Sequence, residues 1–172
     1  MELPEKIETV LVTHLRAQVQ AALDDQTLDA YFDPVTQIQP GESEADIEAQ
    51  LLRCICGDAD QEYPQGTGNF YHPILIELLT PIADQTEVQA ASEDVAESTS
   101  QLDKHKEMAA ILTTAIMVDN LPATLNAVAL ALGAGYELTV IGILSRQPQR
   151  GQAGNLYVSG FTFRLYACGS TL

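Results

Sequence analysis

The sequence predicts an α+β domain with a mainly antiparallel four-stranded sheet, formed by two hairpins and packed on one side by helices. Three observations predict it. Residues 4–24 carry the apolar period of a helix. Residues 104–132 carry it again on either side of Pro122. Four segments, at 51–56, 70–82, 136–145 and 156–168, read as strands in two pairs. The order helix, hairpin, helices, hairpin suits strands that pair with their neighbours and bury one face under helices. At 172 residues the chain is the length of one domain, and it should bury about 70% of its unfolded surface.

The first helix is justified by Ile7, Leu11, Leu15, Val19 and Leu23, which recur every four residues and draw one stripe. Pro4 suits a first turn, and Glu5 and Glu8 complement the positive end of the helix dipole. Asp24-Asp25 opposes that dipole at the other end and should stop the helix. Residues 25–49, with Pro34, Pro40 and Gly41, read as irregular, pinned down by Tyr31, Phe32, Val35 and Ile38. Leu51–Cys56 reads as a short strand and 57–68 as a turn rich in acids and glycine. In the next strand Ile74, Ile76 and Leu78 share a face. Pro73 withholds one ladder donor, which places it near the start of the strand or on an edge.

Residues 84–103 are acidic and poor in apolar anchors. They read as a mobile acidic loop, with room for a short helix near 90–97. Met108, Ile111, Leu112, Ala115 and Ile116 then form a helical face. Leu121, Leu125, Val128 and Leu132 form a second, stopped by Gly133-Ala-Gly135. In the last hairpin Leu138, Val140 and Gly142 are expected on one face, opposite Thr139, Ile141 and Ile143. Residues 147–154 read as a polar turn. Phe161, Phe163, Leu165 and Ala167 alternate with Thr162, Arg164 and Tyr166, so the phenylalanines are expected in the core.

Charge is distributed unevenly. Residues 1–103 hold 21 Asp and Glu against 3 Lys and Arg, a balance of −18, whereas residues 104–172 hold 3 against 5, a balance of +2. A surface of that sign repels phosphate backbones, which disfavours nucleic acid as a partner. The longest apolar stretch, 108–118, is too short for a bilayer, which needs about 20 residues, and the N-terminus lacks the basic-then-apolar pattern of a signal peptide. Neither feature suggests a membrane partner. Three cysteines cannot all pair, and Cys54 and Cys56 fall on one side of a strand, so buried free thiols are the expected state.

No catalytic constellation emerges. His14, His72 and His105 have no metal-ligand spacing among themselves. A zinc site from Cys54, Cys56, Cys168 and His72 lacks the paired spacing that such sites show. A Cys168 nucleophile with His72 or His105 has no support from position. Gly66-Thr-Gly68 and Gly133-Ala-Gly135 lack the spacing and strand-to-helix context of a phosphate cradle. The expectation is a protein that is not an enzyme and needs no cofactor or metal.

Several phrases carry a likeness: Gly66-Thr-Gly-Asn-Phe-Tyr-His-Pro-Ile-Leu-Ile-Glu-Leu-Leu-Thr, Lys104-His-Lys-Glu-Met-Ala-Ala-Ile-Leu, Leu121-Pro-Ala-Thr-Leu-Asn-Ala and Gly160-Phe-Thr-Phe-Arg-Leu-Tyr-Ala-Cys-Gly. In order and phrasing, residues 50–172 resemble the tail-terminator or minor-tail (tail completion) proteins of long-tailed bacteriophages and prophages. The resemblance implies a virion subunit, assembled in the host cytoplasm, that forms a ring with copies of itself. It would contact other tail or neck proteins, halting the tail tube and joining it to the head. It implies no active site. Copies should meet through the less acidic C-terminal part, with Arg146, Arg150 and Arg164 as candidate subunit contacts facing acids of a neighbour. The alternative is a cytosolic ligand-binding or regulatory module with no catalysis, using the space between helices and sheet.

Overall fold

The computed structural model describes residues 2–26, 28, 32–42, 47, 49–59, 71–82 and 95–169. Its elements are α1 (Leu3–Asp24), α2 (Pro34–Gln37), β1 (Ile38–Pro40), β2 (Leu51–Cys56), β3 (Tyr71–Pro81), α3 (Val95–Ile116), α4 (Leu121–Leu132), β4 (Leu138–Ala153) and β5 (Leu156–Gly169). The α+β class is as expected, but the sheet has five strands in the order β1-β2-β3-β5-β4, and β1 runs parallel to β2. The four-stranded antiparallel expectation is corrected by β1, a three-residue strand inside the stretch read as irregular. Arg16 of α1 holds it, donating to the carbonyls of Val35 (2.9 Å) and Ile38 (2.7 Å).

Helix α1 begins with a capping box between Glu2 and Glu5, which satisfies orphan N–H groups at the first turn. Its inward face buries Ile7, Val10, Leu11, Leu15 and Val19, each worth about 1.5–3 kcal/mol relative to exposure. Glu8 accepts the backbone N–H of Cys56 at 2.8 Å and ties the helix to the end of β2. Alternate residues of the central strands, Ile74, Ile76 and Leu78 on β3 and Phe161, Phe163 and Leu165 on β5, are buried under α3 and share one core with the apolar faces of α1 and α4. Phe161, Phe163 and Leu165 thus lie where alternation predicted. Between these two strands the backbones approach so closely at Gly160 that a Cβ there would fall on the Ile76 carbonyl oxygen, and no other residue fits.

Pro73 is the third residue of β3, a central strand. Its carbonyl accepts the Gly57 N–H at 2.9 Å on the side where β2 has just ended at the Cys56–Ile74 pair, so its missing donor faces the end of a ladder. Three further expectations are corrected. Helix α3 starts at Val95, so 95–103 is helical and not loop; the rest of that segment, 84–94, lies outside the described residues, as does 60–70 of the first hairpin turn. Residues 147–153 belong to β4, and the turn shrinks to Gly154-Asn155. Irregular register between Val140 and Gly142 moves Ile143 to the helix-covered face, opposite Leu165, and turns Gly142 away.

A second irregularity lies between Leu144 and Gln147, where Ser145 takes φ 55. At the first one, the Asn126 side chain of α4 fills in for a strand: its amide nitrogen donates to the Val140 carbonyl at 2.9 Å, and its oxygen accepts the Val140 N–H at 2.6 Å.

Candidate functional site

Strand parity places two polar residues, Thr80 and Ser159, among the inward positions of β3 and β5, and helical spacing places His105 on the same stripe as Met108 and Leu112. All are buried: Thr80 is 0%, His105 5% and Ser159 8% exposed. Buried polar atoms need partners. They find them in one another. Gln50, just before β2, donates its side-chain N–H to Thr80 Oγ1 at 2.9 Å. Thr80 Oγ1 lies 2.7 Å from His105 Nδ1, and His105 Nε2 lies 2.8 Å from Ser159 Oγ. With Gln50 donating into Thr80, the threonine hydroxyl can donate to Nδ1, and Nε2–H then donates to Ser159. The chain thereby links β3, α3 and β5 across the core.

A serine hydroxyl on a histidine is the first half of a nucleophile–base pair. Here the far nitrogen meets a neutral threonine, which cannot stabilise an imidazolium as a carboxylate does. Burial also lowers the His105 pKa from its ordinary value, favouring neutral imidazole. The arrangement orders the core and presents a hydroxyl to the space beside it.

That space is a cavity of about 350 Å³ between α3 and the distal half of the β4–β5 hairpin. His105, Tyr157 and Ser159 line it, with the Tyr157 ring centroid 5.8 Å from that of His105. Lys106 and Arg150 line it too, both exposed, and among the described residues no Asp or Glu does. A smaller recess of about 130 Å³ shares Ala109, Thr113, Arg150 and Ser159 with it and continues to Pro148, Phe161 and Met117. The groove exists because α4 covers only the first half of β4.

The three arginines expected at subunit contacts do not share a site. Arg146, half-buried, donates to the carbonyls of Ile116 and Val118, both at 2.8 Å, and so caps the C-terminal end of α3. Arg150 lines the groove. Arg164 lies opposite Leu144 on the other face of the sheet. On that face Arg53 and Glu77 form an ion pair at 2.6 Å, Tyr71 stacks on Tyr166 at 5.2 Å, and a cavity of about 560 Å³ opens beside Ile55, Pro73, Leu75, Thr162 and Arg164. No described helix packs there.

All three histidines are buried. His14 Nε2–H donates to the Ala115 carbonyl at 3.1 Å, and His72 Nδ1–H donates to the Gly57 carbonyl at 3.2 Å. His72 shares the helix-covered face with Leu165, whereas Cys168 is turned to the opposite face, so the two do not form a pair. Cys54 and Cys56 are free, as is Cys168. Burial, aided by the Glu8 charge, pushes the Cys54 thiol well up and that of Cys56 to about 12, which keeps both protonated. Among the described residues no three His, Cys, Asp or Glu are grouped to hold a metal. No single described helix is long and apolar enough to cross a membrane; α3 and α4 pass that test only as a pair bent by 91°.

No protein-family model matches the chain, and no curated protein matches its sequence.

Proposed function

We propose that the protein is a structural and assembly subunit of a long-tailed phage or prophage, a tail terminator or head–tail joining protein that acts by forming a ring through protein–protein contacts. The observation that carries the assembly reading is the sheet face that no described helix covers. Its strands present the partly exposed Ile55, Leu75 and Val158 there, with Leu144 (47% exposed) on β4; Ile141 (53%) stands out at the nearby bulge. Four strands about 4.8 Å apart, along an 11-residue β3, make a face of roughly 700 Å². A stable interface needs about 800 Å² per partner, so this face has the size of a subunit contact. The phage assignment rests on the phrasing of residues 50–172.

Light scattering coupled to gel filtration tests the assembly reading. A discrete oligomer with a ring outline in negative-stain micrographs is expected, and a monomer at the highest soluble concentration refutes it. The virion role is tested by looking for the protein in purified tailed particles. Its absence from them would sink that assignment.

A further inference from the structure

The groove between α3 and the distal β4–β5 hairpin departs from the charge of the molecule around it. The chain carries 24 acids and 8 bases, yet among the described residues the lining holds two cations and no carboxylate. Lys106 and Arg150 form no ion pair with another described residue. Two cations brought together by separate elements repel each other unless an anion lies between them. The floor beneath them offers hydrogen-bonding groups, with Ser159 Oγ held in place by His105.

The groove's shape says which kind of anion. From Leu102 to Met117 it follows α3 for about 22 Å at 1.5 Å per residue. That is the length of about seven residues of extended chain. It is open along its side, with apolar Met117, Pro148 and Phe161 at one end and Lys106 and Tyr157 towards the other. A compact metabolite would leave most of this strip empty. The abundant source of carboxylates at the required concentration is the protein itself, whose first 103 residues have a balance of −18.

We infer that this groove docks an acidic segment from the first 103 residues of a second copy, with its carboxylates on Arg150 and Lys106. This rests on the self-assembly reading and adds a location and a chemistry to it. Of the three arginines only Arg150 lines this groove, since Arg146 is engaged within its own chain and Arg164 lies on the uncovered sheet face.

The test uses the full chain. Lys106→Gln with Arg150→Gln removes the groove's charge; both side chains are exposed, so the fold should survive, as checked by the thermal melt. Ala17→Glu with Gln18→Glu, on the exposed side of α1, shifts net charge by the same amount elsewhere. At low salt the groove variant should need about ten-fold more protein to half-assemble, with a smaller difference at high salt, while the α1 variant should not. Equal loss in both variants overturns the inference, because net charge alone would then explain it. Wild-type assembly with an unaffected groove variant overturns it too and leaves the self-assembly reading standing. A wild-type monomer removes both. Carbodiimide coupling of mixed heavy- and light-isotope subunits supplies an independent readout: Lys106 should join carboxylates of the other isotope. Coupling of Lys106 only within its own chain would overturn the docking of a second copy.

Discussion

Thr80→Val is the sharpest probe of the buried chain from Gln50 to Ser159. The two side chains have nearly the same shape, so packing barely changes and only the hydroxyl is lost. Thr80 is 0% exposed, and its oxygen serves both the Gln50 amide at 2.9 Å and His105 Nδ1 at 2.7 Å. Its removal leaves two buried polar groups without a partner, each costing about 1–3 kcal/mol. The added methyl returns about 0.8 kcal/mol. The net expectation is a loss of about 1–5 kcal/mol, centred near 3. Urea unfolding should show a lower midpoint with an unchanged slope. His105→Leu in the Thr80→Val background removes one of the stranded groups. The double variant should therefore lose about 1–2 kcal/mol less than the two singles added together. A Thr80→Val cost under about 0.5 kcal/mol, or strict additivity, would show that the chain is not a coupled unit.

Phe163→Ala, at a position 3% exposed, should cost about 3–5 kcal/mol in the same assay; a loss under half a unit would place the side chain outside the core. Arg146→Ala should cost about 1–2 kcal/mol in a thermal melt even where the protein is monomeric, because two helix-end carbonyls lose their donor; an unchanged melting point would return Arg146 to the pool of intersubunit contacts. Stability should also fall in mild acid. Burial holds the folded-state pKa of His14 and His105 below 6.5, so the unfolded chain binds more protons once the pH drops under that value. The contribution is complete above about pH 6.5 and is lost towards the lowered folded-state values, at up to about 1.4 kcal/mol per pH unit for each histidine. Denaturation midpoints at pH 7.5 and 5.5 should differ, and His105→Gln should flatten the difference; an equal slope in the variant would clear His105 of the effect.

Helix α1 and the β5 core face were legible because five apolar residues at one helical spacing, and four at strict alternation, leave one buried solution. Strand β1 was not, since three residues hold too few alternations to register against a background of proline and glycine. The first nine residues of α3 carry no apolar stripe, so nothing in the pattern separates them from solvated loop. Residues 147–153 misled for the opposite reason: an edge strand exposed on most of its surface has no need to alternate. The bulge at Val140–Gly142 reversed a face assignment because pattern counting assumes an unbroken pleat. The buried network had a faint signal. Thr80 shares strand parity with Leu78, Ser159 shares it with Phe161, and His105 sits three residues before Met108. What the pattern could not supply was that the three meet.

Both borders of the sheet carry obstacles to a further strand among the described residues. On one side β1 is three residues long and ends in Pro40. On the other, β4 is interrupted twice in its register and carries Pro148, and at Val140 the Asn126 amide already occupies the groups an incoming strand would use. Open strand borders are templates for uncontrolled stacking of identical chains, which is most dangerous where many copies gather. At these positions backbone pairing between chains is hindered, which works against fibril seeding. A contact between copies at these positions would have to be made by side chains rather than by the backbone.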